Sequence, residues 1–374
     1  MLVLEHDAKS LIAGQGVPVP AGYLVKKGDE LKPGLPGPWM AKAQVTAGKR
    51  GKRGGVVKCD DMPALAKAVE AILGLKLGNL NADWVRVETC VDFSRELYVS
   101  IGYDPKSGLV QLIFSSEGGM EIESVEPSRI HVRLVEAEPD ACIAAARDIA
   151  AAEEPSLRDI IEDSVAKLAH AFFALDATLL EINPLFVRKD GSWIAGDAKL
   201  ILDEGAFERQ PDNVAFVHAN AERYPETDFK LREGFDYIEL NEDGRVGLIT
   251  TGAGLTMMLV DEMTVRGAVP YNFLDIRTGQ IHSEPDRLVT ALRMIKQGKN
   301  VDRLLVNIFA GITDLLNFAQ RFLEAAAIVN LSGFKIFVRI EGLNRDAANQ
   351  LLFASPFDVR IFDELEDALE AIAA

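Results

Sequence analysis

Long apolar runs are missing from this chain: no stretch approaches the roughly 18 consecutive apolar residues that a membrane helix requires. Residues Met1 to Lys9 also lack the basic start and apolar centre of a secretory signal, so a cytoplasmic protein is expected. Cysteine is scarce. Cys59, Cys90 and Cys142 are scattered with no CxxC spacing, which argues against a disulfide framework or a zinc cluster. The five histidines form no HxxH or HExxH pattern. Positive charge is short as well, for the formal net charge is −17. A polyanion would be repelled over most of such a surface, which excludes general nucleic-acid binding.

What is present is ordinary globular composition, 48% hydrophobic and 26% charged, in a chain of 374 residues long enough for two or three domains. The first part mixes antiparallel signals with helices. Leu4 to Ile12 has a helical pattern, Gly28 to Pro38 reads as loop, Trp39 to Val45 as a strand and Pro63 to Leu73 as an amphipathic helix. Glu96 to Tyr103 and Leu109 to Ser115 form a hairpin around Pro105 to Gly108. A long helix is expected from Leu157 to Leu175. A second hairpin follows, with arms Ala177 to Val187 and Ser192 to Ile201 turned at Lys189-Asp190-Gly191.

From about Tyr237 the pattern changes to five strand–helix repeats with short connections, beginning at Val246, Val269, Leu304, Phe334 and Val359. Such repeats predict an open, doubly wound parallel sheet. The polar segment Arg209 to Phe235, with Pro211 and Pro225, reads as the linker, which places the junction near residue 230.

Three groups of residues could carry chemistry. Lys42 and the run Ala47-Gly-Lys-Arg-Gly-Lys-Arg-Gly-Gly55 can bring ammonium groups and backbone N–H groups to phosphates, although composition alone favours a solvated basic loop. The spacing is not GxxxxGK followed by Ser or Thr, so a Walker loop is excluded. Asn183 and Asp197, on the two arms of the second hairpin, could face each other and offer hard oxygen ligands to Mg²⁺. Taken singly they also read as backbone caps. Four glycine-bearing segments follow strand ends: Thr250 to Gly254, Arg277 to Gly279, Ala310 to Thr313 and Glu341 to Asn344. Ligands bind at that edge of doubly wound sheets, and helix N-termini there favour anions.

Together these segments resemble the succinyl-CoA synthetase β-subunit family, with malate–CoA ligase and the β-like part of ATP-citrate lyase among its relatives. Pro38-Trp-Met-Ala-Lys-Ala-Gln-Val is similar to the family's PWVVKCQV, Arg50-Gly-Lys-Arg-Gly-Gly-Val to RGKAGGV, and Ser116-Glu-Gly-Gly-Met-Glu-Ile-Glu to STEGGVEIE. Glu181-Ile-Asn-Pro-Leu followed by Gly196-Asp-Ala-Lys is the most specific signature, and Phe207-Glu-Arg-Gln-Pro-Asp, Gly252-Ala-Gly-Leu, Asn272-Phe-Leu-Asp and Val306-Asn-Ile-Phe-Ala-Gly continue it in order.

The resemblance implies an α/β and α+β chain. An ATP-grasp domain would cover 1–230, with about 20–85 as a smaller lid subdomain, and a flavodoxin-like CoA-ligase domain 235–374. It further implies nucleotide contacts at Lys42, Lys49, Arg50, Gly51, Glu88 and Glu96, Mg²⁺ at Asn183 and Asp197, and Glu181 beside a phosphohistidine. The acid would meet Thr251, Gly252, Gly311, Ile312 and Thr313, with helix N-termini at Leu255 and Thr313 behind the phosphoryl group. ATP, or GTP, is then the nucleotide and a small di- or tricarboxylic acid such as succinate the substrate, with citrate or malate as alternatives. CoA and the phosphorylated histidine would belong to an α-type partner in an αβ or α2β2 assembly, with no nucleic acid or membrane involved. Four departures stand out. Lys49 and Arg277 replace glycines, Thr251 replaces asparagine, and Asp314 stands where the family carries arginine. Rearranged recognition of an anionic acid, or a nucleotide-binding paralogue without turnover, would each account for them.

Overall fold

A computed structural model of the chain describes residues 1–374 apart from 32, 33, 47, 49, 79, 120, 121 and 278–284, and apart from the side chains of 123 and 312. The chain divides into two compact units, Met1–Asn213 and Val214–Ala374. The segment expected to be a linker is not extended: it folds as the helices Pro211–Ala219 and Pro225–Glu233. Proline at the first turn of the second helix and Gly234 in the left-handed region at its end supply the start and stop. The His218 ring lies 2.7 Å from the buried Asp228 and links the two helices.

The first unit holds a seven-stranded antiparallel sheet. Its order is Leu2–Val3, Lys199–Leu202, Ala177–Val187, Arg95–Tyr103, Val110–Ser115 and Ile130–Val135, with Trp193–Ala195 also paired to Ala177–Val187. Alternation places Leu97, Val99 and Ile101 in the core, and the helices Pro139–Ala152 and Arg158–Ala174 cover them with Ile149, Leu168 and Phe172. A second, four-stranded antiparallel sheet runs Gly22–Lys26, Trp84–Thr89, Trp39–Ala43, Val56–Cys59. It packs Ala41, Val85 and Val87 against Leu65, Val69 and Ile72 of the helix Met62–Leu73. Asp61 caps that helix by accepting the Ala64 N–H at 2.7 Å.

The expected hairpin arm Ser192 to Ile201 is broken. Trp193–Ala195 and Lys199–Leu202 are separate strands, and between them the N–H groups of Gly196 and Asp197 both reach the Pro184 carbonyl, at 2.9 and 3.3 Å. Gly196 is required there, since a Cβ would lie 2.3 Å from the Phe186 ring.

The second unit is the doubly wound sheet that the repeats predict. Asn272–Asp275, Val246–Thr250, Arg303–Asp314, Lys335–Leu343 and Asp358–Ile361 are neighbours in that order and parallel, while Asp236–Glu239 adds an antiparallel edge beside Asn272–Asp275. One face packs Leu248, Leu305 and Phe337 under the helices Ala253–Val265 and Leu365–Ala373. The opposite face packs Ile249, Val306 and Val338 under Asp286–Gln297, Leu315–Val329 and Arg345–Phe353. The helix starts differ from those expected. Gly252 precedes a helix beginning at Ala253, and Gly311 to Thr313 continue their strand to Asp314, so the next helix begins at Leu315. Asp314 caps it by accepting the N–H groups of Leu316 and Asn317 at 2.9 and 3.3 Å.

Two outcomes follow from this packing. Asp314→Ala removes the cap of a helix whose inner face is core, and urea unfolding should show a loss of about 1 kcal/mol. Gly118→Ala would set a Cβ 2.3 Å from the backbone oxygen of Leu97. The clash is with backbone and cannot relax by a rotamer change, so the same measurement should show about 2 kcal/mol lost.

Candidate active site

A cavity of about 360 Å³ opens in the first unit, lined by Leu2, Glu5, Arg50, Gly51, Glu181, Asn183, Asp197 and Lys199 among others. Strand geometry brings the hairpin residues to it. Pairing matches Glu181 with Lys199 and Leu185 with Ala195, the same register on both sides of the break, so Asn183 and Asp197 stand opposite each other across the two arms. Glu181 and Asn183 are two residues apart on one strand and share a face. Tyr98 donates to Glu181 Oε2 at 3.0 Å, and the Gly119 N–H donates to Asn183 Oδ1 at 2.8 Å. The second contact fastens the Ser116 to Gly119 segment to the cavity wall.

Beside the cavity lies a buried ion cluster. Lys42, on the Trp39–Ala43 strand, contacts Glu5 at 2.9 Å and Glu88 at 2.7 Å and donates to the Gly196 carbonyl at 2.8 Å. Lys9 contacts Glu5 at 2.7 Å and Glu88 at 2.8 Å and donates to the same carbonyl at 2.8 Å. Arg86 donates to Glu88 at 2.6 Å, and Arg50 reaches Asp197 and Glu5, each at 2.9 Å.

Burial opposes the charge of Glu5, Lys9, Lys42, Arg50, Glu88 and Asp197; it prevails at Lys9 and Asp197, and the neighbours prevail at the others. Burial pushes the Glu5 carboxyl up, but Lys42, Lys9 and Arg50 together hold it well below the ordinary value. Glu88 is lowered in the same way by Lys9 and Lys42. Burial also works against the Lys42 ammonium, yet Glu5 and Glu88 raise its pKa above that of an ordinary lysine. Asp197 goes the other way: burial raises it and Glu5 raises it further, and Arg50 and Lys42 do not compensate. A carboxylate in that condition favours an added cation.

Among the described residues no group of three or more His, Cys, Asp or Glu is gathered for a metal. One amide oxygen and one carboxylate on opposing arms nevertheless fit Mg²⁺, which takes few protein ligands and completes its shell with water and phosphate oxygens.

The predicted nucleotide residues separate into two groups. Arg50 and Gly51 line the cavity, and Lys42 stands behind it through Glu5 and Gly196. Glu88 is 2% exposed and enclosed by Lys9, Lys42 and Arg86. Glu96 is on a different strand, where a Cβ on Gly119 would come within 2.3 Å of its carboxylate; burial raises its pKa. Lys49 lies outside the described residues. Sequence reasoning missed Glu5 and Lys9. Their signal was a face: residues 5, 9 and 12 fall together on a helix, and Ile12 is fully buried.

In the second unit, Thr251 and Gly252 meet the end of the Arg303–Asp314 strand and Asp275. The Thr251 hydroxyl lies 3.4 Å from the Phe309 carbonyl, and the Gly252 N–H donates to Asp275 at 2.9 Å. Gly311 is exposed and Thr313 half-buried, while the Ile312 side chain is outside the described set. Arg277, in the left-handed region at φ 50°, turns its guanidinium to Asp236 at 2.9 Å. Both helix N-termini therefore already carry a carboxylate of this chain, Asp275 at Gly252 and Asp314 at Leu316 and Asn317.

Residues 2–187 match the ATP-grasp domain family, whose members bind MgATP, and residues 249–371 match the CoA-ligase family. The probable malate–CoA ligase subunit β of Mesorhizobium japonicum is 34% identical, covering 100% of this chain and 98% of its own length. The succinate–CoA ligase [ADP-forming] subunit β of Cupriavidus necator is also 34% identical, with coverage of 100% and 99%. ATP citrate lyase from Methanothrix soehngenii, solved with citrate and coenzyme A, shares the fold at TM-score 0.76 and 18% identity, over 100% of this chain and 98% of that one. Similarity to ligase β subunits from end to end, across an ATP-grasp domain followed by a CoA-ligase domain, makes the chain a member of the succinyl-CoA synthetase β-subunit family.

Proposed function

We propose that this chain is the nucleotide-binding β-type subunit of an ADP-forming acid–CoA ligase. The observation that carries the reading is one cavity whose wall holds Glu181, Asn183, Asp197, Arg50 and Gly51 together. Arg50, the Gly51 backbone and Lys42 would receive the nucleotide phosphates, with Lys49 on the same loop and Glu88 and Glu96 as the more distant carboxylates. Asn183 and Asp197 would hold Mg²⁺, which when bound neutralises charge on the phosphate oxygens. Positioning and countercharge are the main demands of phosphoryl transfer, and this wall supplies both.

None of the described histidines of this chain is among the residues lining the cavity, which supports a phosphoryl acceptor supplied by an α-type partner; that partner would also bind most of the CoA. Glu181, held by Tyr98, would accept the N–H of the partner's histidine while its other ring nitrogen attacks the γ-phosphorus. The P–O bond to ADP breaks as the N–P bond forms. The acid's carboxylate then takes the phosphoryl group from the histidine, and CoA sulfur displaces phosphate from the acyl carbon. Thr251, Gly252, Gly311, Ile312 and Thr313 would meet that acid. It is proposed to be a small di- or tricarboxylate, succinate first, with malate and citrate as the alternatives.

The test pairs the chain with its α-type partner and follows transfer of labelled γ-phosphate from ATP to the partner's histidine. Wild type should transfer, and EDTA should abolish transfer. Asp197→Ala should lower it by about a hundredfold or more at a temperature where the variant is still folded. Full transfer by Asp197→Ala overturns the Mg²⁺ assignment. Binding of MgATP without any transfer by wild type would instead identify a paralogue without turnover. A panel of acids supplied with CoA then names the substrate.

A further inference from the structure

Glu5 is 4% exposed, lines the cavity, and belongs to the N-terminal helix rather than to either of the strands or the basic loop that carry the other site residues. Its two oxygens have different tasks. Oε1 accepts from Lys9 at 2.7 Å and from Lys42 at 2.9 Å. Oε2 faces Arg50 Nη2 at 2.9 Å but makes no hydrogen bond, so that contact is electrostatic and poorly aligned. The same Arg50 nitrogen is shared with Asp197. Lys9, fully buried one helical turn along, contacts Glu5 and Glu88 and is not among the residues lining the cavity.

We propose that Glu5 is a positioning residue of the phosphate end of this cavity: its carboxylate, anchored from behind by Lys9, holds Lys42 and Arg50 in place in the nucleotide-free protein and yields them to the incoming polyphosphate. The inference rests on the nucleotide reading above. In the nucleotide-free protein the carboxylate offsets the repulsion between these two buried cations, a task that the polyphosphate takes over when it binds. It also competes with that phosphate for the same two cations. Arg50, with the misaligned contact, is the first to be released, whereas the hydrogen-bonded Lys9 stays with Glu5.

The competition gives a sign that a purely structural role cannot reproduce. Calorimetric titration of the full chain with ATP, in EDTA and again with Mg²⁺, is the measurement. Glu5→Gln keeps the shape and removes the competing charge, and should bind ATP in EDTA about tenfold tighter than wild type, with the gain shrinking as salt rises. Lys9→Gln leaves Glu5 entirely to Lys42 and Arg50 and should bind several-fold weaker, the opposite direction. If Glu5→Gln does not fold, Glu5→Asp decides: it withdraws the carboxylate by one methylene and should bind about twofold tighter. Weaker or unchanged binding by the folded Glu5 variant overturns the inference while wild-type binding upholds the nucleotide reading. No ATP binding by wild type overturns both.

Discussion

The first unit depends on a countercharge problem solved inside the protein. Lys9, Lys42, Arg50 and Arg86 stand against Glu5, Glu88 and Asp197, four cations to three carboxylates, most of them nearly or fully removed from water. Removing one partner from such an arrangement costs about 3–5 kcal/mol, because an uncompensated charge stays behind. The cluster therefore fixes relative positions as strictly as apolar packing does. It ties together the N-terminal helix, the Trp39–Ala43 and Trp84–Thr89 strands and the Gly196 turn. Its surplus of one positive charge contrasts with the chain's formal charge of −17.

The hairpin at Asn183 and Asp197 was legible in the sequence for a specific reason. An Asn-Pro on one arm and a Gly-Asp on the other, flanked by apolar alternation, fit a turn-linked pair of strands, and the register places the two oxygen donors opposite each other. The break in the second arm was not legible. It arises because Gly196 and Asp197 both direct their N–H groups to the Pro184 carbonyl, a contact that spacing does not reveal. Glu5 and Lys9 were hidden for a related reason. A Glu–Lys pair four apart on a helix describes a solvated face far more often than a buried one, and only the sheet placed over it decides. The helix Pro139–Ala152 and the strand Ile130–Val135 went unrecognised too. The helix is rich in alanine, which blurs its apolar face, whereas Ile130-His-Val-Arg-Leu134 alternates apolar and polar residues and carried a strand signal that was passed over.

The second unit was easier to read because its central parallel strands are covered on both faces and appear as continuous apolar runs. Its strand-end chemistry was harder. Glycines after strands suggested open anion sites at the helix N-termini, but a single residue's offset changes the meaning of the loop. With the helix beginning at Leu315, Asp314 is the cap, and its carboxylate satisfies the N–H groups that an anion would have used. Asp followed by an apolar turn is a cap signal visible in sequence. The family comparison drew attention to the lost arginine instead.

These two adjustments have a common physical basis. In each unit a carboxylate of the chain already occupies the groups suited to an anionic ligand: Glu5 and Asp197 on Arg50 in one, Asp275 and Asp314 on helix N–H groups in the other. The consequences differ. Arg50 shares Nη2 between Asp197 and Glu5 and donates from Nη1 to the Ala43 carbonyl, so the proposed hand-over to a polyphosphate would free one side-chain nitrogen while backbone still holds the other. Asp314 is bonded to the backbone of a helix whose inner face carries Leu315, Phe318 and Phe322 into the core, and its displacement would uncap that helix. An exchangeable countercharge suits a site that must fill and empty. A cap bound to backbone favours a fixed surface, and this makes the nucleotide cavity the better-supported of the two candidate sites.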